Sequence, residues 1–495
     1  MPSPTPSPPN SPAPSALYRA VWRWHFFAGL LVAPFATFLA ITGAIYLWQP
    51  QYEAHRYPDL LAASTITPPS TWSSPDTQLA AALASAPPHS QPQSFQPAFA
   101  PGETTQITFT LPPHLPSEIS NLKSEIPPSP STPAHHATAT TTVFIDPPTA
   151  RVLGQLRDDE RLMSTVKKLH SSLLLGKTGE YLVELAASWT LVLFATGLYL
   201  AWPRPRFSAA GFLYPRLRAT GRTFLRDVHV VPAAWCAFAS IFLLTTGLLW
   251  TNAAGAWYRQ ISSTLGQDSP RESAASAHRS QLVGWSPPLT SGLAEKIDAL
   301  HSSPPHTHHT PRHHVSDTPA PSLPLAQVIA LAREHEIPEP FIIGLPLGPE
   351  GVYSVISDRT RPFDRAYLHL DRYSGQVLAH LRFHDFGYLA QFFSWGIVAH
   401  EGRLFGLPNQ ILGTLAAVGI VLLALSGFAL WWQRRPPKSL AAPESNASLP
   451  RSVLIILLTF AALLPLLAAS LAILFLADKL LSLLRSRSTP TPLAP

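Results

Sequence analysis

Four histidines stand at repeated distances from a hydroxyl–glycine pair. Thr42-Gly43 follows His25 by seventeen and eighteen residues, and Thr246-Gly247 follows His229 by the same distances. His170 is followed by Gly176, Thr196, Gly197 and Trp202 at offsets of 6, 26, 27 and 32, and His400 by Gly406, Ser426, Gly427 and Trp432 at the same four offsets. Two imidazoles on facing helices can ligate haem iron from both sides. The single cysteine, Cys236, excludes an intrachain disulfide and a Cys-x-x-Cys-His attachment. A single histidine at a membrane edge is ordinarily an interfacial polar residue; the fourfold repetition favours a ligand, and the chemistry on offer is then non-covalent, b-type haem with bis-histidine ligation. His25, His170, His229 and His400 are the candidate iron ligands, for two haems.

The elements that would position these ligands are membrane helices. The chain has 495 residues, 46% of them hydrophobic and only 13% charged, with 54 prolines. Apolar runs longer than about 18 residues at such low charge indicate membrane spans. The expected division begins with a disordered Pro-rich N-terminus (1–16), a first helix (17–48) and a segment with Pro-rich insertions (49–165). A second helix (166–202), a basic loop (203–228) and a third helix (229–258) follow. Then come a second long segment with a His-rich linker (259–390), a fourth helix (391–435), a loop (436–451), a fifth helix (452–480) interrupted by Pro465, and a tail (481–495). The first span is too long for a cleaved signal peptide and lacks a small-residue cleavage site.

The loop between the second and third spans holds six arginines against one aspartate. By the positive-inside rule this loop, the loop after the fourth span and the N-terminus are cytoplasmic, and both long segments lie outside the cytoplasm. In each long segment a helix pattern ("TQLAAALASA" and "LPLAQVIALAREHE") precedes strand patterns. "TTVFIDPPTARVLGQL" and "RAYLHLDRYSGQVLAHLRF" both read as strand, turn, strand, with Asp146 and Asp371 at the turns. The unit is helix, outer module, helix, and it occurs twice. The expected fold is a membrane all-α bundle, four core helices in two repeats plus a fifth, with two α+β extracytoplasmic modules. The histidines then sort into two pairs, His25 with His229 near the cytoplasmic face and His170 with His400 near the outer face.

Other residues carry competing readings. Small residues near the ligands (Ala28, Gly29, Ala233, Cys236 and Ala237) would let a flat ring lie against the helices. Lys177 and Arg403, close to the outer pair, could meet haem propionates. Thr-Gly near a helix end reads as a packing or capping feature, Cys236 as a small buried hydrophobe, and Trp22, Trp24, Trp48, Trp202, Trp250, Trp431 and Trp432 as interfacial anchors. Glu184 is either a proton-relay group or an interfacial carboxylate. The tract 301–314, with six histidines in fourteen residues, either collects metal ions or is a flexible linker; the absence of any implied geometry favours the linker.

The stretches "WRWHFFAGLL…AITGAIYLW", "LHSSLLLGKTGEYLVELAASWTLVLFATGLYLAWPRP", "LRDVHVVPAAWCAFASIFLLTTGLLW" and "AHEGRLFGLPNQILGTLAAVGIVLLALSGFALWWQRRP" together resemble the PepSY-associated transmembrane proteins. That family includes iron-regulated membrane proteins and ferric-siderophore reductases of the bacterial inner membrane. The resemblance covers roughly residues 17–440 apart from the proline-rich insertions, and the outer modules look PepSY-like. It implies haem bound by helix histidines, which carries over to His25, His170, His229 and His400. The low-complexity insertions, the His tract and the fifth span depart from the family pattern.

The function this implies is a multi-pass bacterial inner-membrane electron conduit with its N-terminus in the cytoplasm. It would take electrons from a quinol or a cytoplasmic reductase, pass them from the inner to the outer haem, and reduce a ferric chelate or siderophore outside. No Gly-x-Gly-x-x-Gly follows a strand and no flavodoxin-like domain is appended, so the reductant is a separate molecule. The sequence assigns no catalytic side chain, and no nucleic-acid partner is expected. Two alternatives stand beside it. One is a PepSY-based regulator restraining a periplasmic protease without redox activity. The other is an iron-chelate permease, for which the spans hold almost no ionisable groups.

Overall fold

The computed structural model describes residues 15–112, 139–202, 209–267, 280, 322–357, 361–435 and 451–487. The chain divides into two compact units, a helical one (1–56, 160–268 and 386–495) and a sheet unit (57–159 and 269–385). The longer helices, in chain order, are α1 (Ala16–Leu47), α2 (Pro75–Ser85), α3 (Leu162–Ser172), α4 (Gly176–Ala201), α5 (Gly221–Leu248), α6 (Ala253–Thr264), α7 (Leu325–Glu334), α8 (Tyr388–His400), α9 (Leu407–Arg434), α10 (Arg451–Leu463) and α11 (Pro465–Arg487).

In the helical unit α1, α4, α5 and α9 are long and apolar enough to cross a membrane, with mean hydropathies of 1.5 to 2.3 over their best windows. At about 1.5 Å per residue each exceeds a hydrocarbon core of roughly 30 Å. They form a ring in which α1 and α5 each pack against both α4 and α9. Pro34 lies inside α1 and Pro232 inside α5, where neighbouring helices can re-satisfy the freed backbone groups.

Two expected helices are divided. The 166–202 span is α3, then a turn, then α4. Leu173, Leu174 and Gly176 carry the chain around with φ of 53°, 60° and 57°. The 391–435 span is likewise α8 and α9, separated by a turn in which Gly402 and Gly406 have φ of 72° and 61°, and Pro408 opens α9. Each histidine-bearing piece, α3 or α8, is thereby set at its own angle to the span that follows. The third span starts earlier than expected, at Gly221, because buried Asp227 on its second turn is tied to Arg216 (2.5 Å). The fifth helix is not continuous. Proline supplies no N–H and clashes with the preceding turn, and the chain breaks into α10 and α11 at Pro465. Leu464 and Leu467 pack in the apolar cluster around Trp189, whose Nε1 donates to Ser470 Oγ (3.2 Å).

The sheet unit is a single eight-stranded antiparallel sheet: β1 (Gln91–Gln96), β2 (Thr105–Thr110), β3 (Thr140–Asp146), β4 (Arg151–Arg157), β5 (Ile342–Gly344), β6 (Tyr353–Ser357), β7 (Ala366–Leu370) and β8 (Val377–Arg382). Their order is β4-β3-β2-β1-β5-β6-β7-β8. The two expected modules are thus the two halves of one sheet, joined where Phe95 of β1 faces Ile343 of β5. One core serves both halves: Phe95, Ile107, Phe109 and Val143 from the first, and Ile343, Val355, Leu368 and Leu370 from the second, with Ala82 of α2 and Val328 of α7. The carboxylate of Asp76 accepts from the N–H groups of Leu325 and Ala326 (2.8 and 3.3 Å), so the first turn of α2 satisfies two orphan donors at the start of α7.

The duplication extends to irregularities. Leu153 in β4 and Leu378 in β8 are each skipped by the pairing register, a bulge at the same offset from Asp146 and Asp371. Both aspartates are buried. Asp146 accepts from Ser64 N (2.9 Å) and Thr149 Oγ1 (2.6 Å), and Asp371 from the N–H groups of Tyr373 and Ser374.

Candidate functional site

Each of the four histidines is seated on a hydroxyl–glycine pair of another helix in the same repeat. His25 on α1 meets Thr196-Gly197 on α4, and His170 on α3 meets Thr42-Gly43 on α1. His229 on α5 meets Ser426-Gly427 on α9, and His400 on α8 meets Thr246-Gly247 on α5. The docking is reciprocal: within each repeat, the first long helix (α1 or α5) sends its histidine to the second (α4 or α9), and its own hydroxyl–glycine pair receives the histidine of the short helix (α3 or α8) that precedes the second.

The glycines are required by close approach. A Cβ placed on Gly43, Gly247, Gly197 or Gly427 would stand 2.9, 3.0, 3.1 or 3.3 Å from the Cε1 of its histidine. Any side chain at the three tighter positions would displace the imidazole.

The hydroxyls fix the tautomer. Thr42 Oγ1 donates to Phe38 O (2.9 Å), so its one hydrogen is engaged, and it accepts from His170 Nδ1 (3.2 Å). His170 Nδ1 also lies 3.0 Å from Leu39 O. A carbonyl only accepts, so Nδ1 carries the proton. The same geometry holds at His400, with Thr246 Oγ1 at 3.1 Å and Leu243 O at 2.8 Å. It holds again at His229, with Ser426 Oγ at 3.0 Å and Leu423 O at 3.1 Å. At His25 the partner is Thr196 Oγ1 (2.9 Å), whose hydrogen goes to Val192 O (2.6 Å). All four rings therefore hold the proton on Nδ1 and keep the lone pair on Nε2. This is the state a metal-ligating histidine needs, with the second nitrogen donating to a hydroxyl or carbonyl that fixes the ring and raises its basicity.

The rings form two layers. His25 lies within electrostatic range of His229, and His170 within range of His400. Each pair joins one histidine from each repeat. Among the described residues no group of three or more His, Cys, Asp or Glu side chains could hold a metal ion. Two imidazoles per layer, tautomerically uniform and each facing a glycine, fit a planar macrocycle that itself supplies the remaining four ligands.

Several residues singled out in the sequence have other duties. Glu184 is 1% exposed, and its carboxylate accepts from Ala253 N (3.0 Å) and Ala254 N (2.8 Å). It caps α6 through the first two N–H groups of that helix. Ala28 lies in the apolar cluster with Trp189, Gly29 faces Leu193, and Cys236 Sγ lies against Gly419. These small residues bring helices together, and the room beside the histidines comes from the opposing glycines. Trp24 stacks on Trp189 at 6.3 Å and Trp48 Nε1 donates to Thr414 Oγ1 (3.1 Å), so both belong to the bundle interior more than to a belt. Arg403 is paired with Glu401 (2.6 Å), and together with Tyr46 and Gln49 they line a small cavity. Lys177 is exposed in the first turn of α4. The tract 301–314 lies outside the described residues.

The family model for the PepSY-associated TM region matches residues 22–434. The chain belongs to the PepSY-associated transmembrane family. The matched region of this PepSY-associated protein contains all four histidines and all four hydroxyl–glycine pairs. It is a multi-pass membrane protein. No curated protein matches the chain.

Proposed function

We propose that the chain is an inner-membrane electron-transfer protein that holds two b-type haems, between His25 and His229 and between His170 and His400, and reduces ferric chelates such as siderophores on the periplasmic side. The observation that supports this most is the common hydrogen bonding of the four Nδ1 atoms, which leaves the four Nε2 atoms for a ligand, in two cross-repeat pairs. Bound there, haem supplies a one-electron ferric–ferrous couple. The chain's own contribution is orientation: Thr42, Thr196, Thr246 and Ser426 hold the rings through Nδ1, and the glycines give them room.

With the N-terminus and the arginine-rich loop in the cytoplasm, the His25–His229 layer is the inner one. Two layers near opposite faces divide a core of roughly 30 Å into shorter electron-transfer distances. Arg403, three residues after His400, and Lys177, seven after His170, are the cations offered to the propionates of the outer layer. The electron comes from a quinol or a cytoplasmic reductase, and one electron converts the chelated Fe(III) to Fe(II), which hard oxygen chelators hold less tightly.

Protein purified from haem-replete cells should carry a chromophore that acid–acetone removes. Once chemically reduced, it should deliver Fe(II) from a ferric siderophore to ferrozine. A colourless preparation overturns the reading and would favour the non-redox regulator.

A further inference from the structure

The inner layer has cations beyond it that the reading above does not use. The Arg434 guanidinium lies 4.4 Å over the ring of Trp22, and Trp22 stands one turn before His25 on α1. Arg222 precedes His229 by seven residues, and Arg434 follows Gly427, on which the His229 ring rests, by seven. Seven residues are two helical turns on the same face, an axial distance of about 10.5 Å. Because α5 and α9 run antiparallel through the His229–Gly427 and Cys236–Gly419 contacts, both arginines sit two turns beyond the histidine on the same side. Their charges are close enough to repel each other.

We infer that Arg222 and Arg434 form an oxyanion site for the two carboxylates of the haem held by His25 and His229; this rests on the reading proposed above. Haem held between His25 and His229 would have two propionate carboxylates to place, and Arg222 and Arg434 would offer them two guanidiniums, each able to bind in a bidentate fork. The face of Trp22 holds the Arg434 fork in place, and the anions relieve the repulsion between the cations. A phospholipid phosphate offers the same oxyanion chemistry, and the test separates the two sources.

The experiment uses the full-length protein in detergent, with R222Q, R434Q, the double variant and R434K compared by spectroelectrochemical titration and by haem transfer to apomyoglobin. His229→Ala identifies which spectral component is the inner haem. The double variant should lower the midpoint potential of that component alone, since the cations favour the more negative ferrous state, and should release it several-fold faster. R434K should fall between wild type and R434Q, and an unchanged outer component certifies the fold. Wild-type potentials and release rates in the double variant overturn the inference while leaving the haem reading intact. Loss of a co-purifying anionic phospholipid with both potentials unchanged overturns it in favour of the lipid. Wild-type protein without haem overturns both.

Discussion

The two repeats share a hydrogen-bond skeleton but differ in how it is completed. In the second repeat His229 and His400 each find both a hydroxyl and a main-chain carbonyl for Nδ1. In the first, His170 does so, but His25 is held by Thr196 Oγ1. The turn aspartates differ in the same manner. Asp371 closes its own turn through Tyr373 and Ser374, whereas Asp146 also reaches eighty-two residues back to Ser64 N. Duplication has preserved the central group at each position, the donating imidazole or the accepting carboxylate, and reassigned its partners. Where one partner does the work of two, substitution should hurt most.

The strongest test breaks the equivalence of the histidines. His25→Ala and His229→Ala should abolish the same haem spectral component, and His170→Ala and His400→Ala the other. The visible spectra of the four variants check this. If His25→Ala removes the component lost in His400→Ala, the layers are wrongly paired. The next test sharpens the contrast between the repeats. Thr196→Val should weaken haem retention by about 10–100-fold, the usual cost of losing an outer partner of a metal-ligating histidine. Thr246→Val should cost clearly less, because Leu243 O remains for His400. Haem release rates measured side by side give the ratio, and equal losses would remove the distinction drawn at His25.

A smaller effect is expected at the glycines, graded by clearance. Gly43→Ala should lower haem occupancy more than Gly427→Ala, because the added methyl meets His170 at 2.9 Å and His229 at 3.3 Å. Haem-to-protein ratios test the order, and a reversal would show that the rings can tilt away freely.

The smallest expected effect lies in the sheet. Burial pushes the Asp146 carboxyl up, but hydrogen bonds from Thr149 and Ser64 outweigh it and hold the group below the ordinary carboxylate range. A lowered folded-state pKa contributes stability that is complete above the unfolded value, about 4, and is lost as pH falls through the folded value. Asp146→Asn should remove that pH-dependent part, costing about 1–2 kcal/mol near neutrality and less under acid. Thermal unfolding of the full-length protein followed by far-UV circular dichroism would register it. An Asp146→Asn variant as sensitive to acid as wild type would show that the carboxylate is not responsible.

The histidine spacing, the four long helices and the turn aspartates were legible because each rests on order along the chain. What the hydroxyl–glycine pairs do was not. Thr42-Gly43 stands near a helix end like many packing motifs, and only the fold shows that His170, 127 and 128 residues away, occupies it. The repeated offsets were the available signal, since each pair kept a fixed distance from a histidine. β1 escaped notice because "QPQSFQ" has a proline, two polar glutamines at its ends and a single large apolar residue, Phe95. Its place is set by pairing with β2 and β5 and not by its own pattern. The merger of the two halves into one sheet depends on a three-residue strand, β5, too short to announce a partner. The capping role of Glu184 was hidden because its partners, the N–H groups that open α6, are invisible to side-chain chemistry.

Reciprocal docking has a consequence for stoichiometry. Each repeat carries one histidine for each layer and orients both with its own hydroxyls and glycines, and neither layer is complete without the other repeat. A half-length chain would therefore be a self-complementary protomer, and two copies related by a twofold axis would assemble both centres. The two repeats stand to each other as the subunits of a twofold dimer would, within one polypeptide. Fusion freed the two halves to diverge while a one-to-one ratio stayed guaranteed, and the unequal partners of His25 and His229 are the kind of asymmetry that two identical protomers could not have acquired.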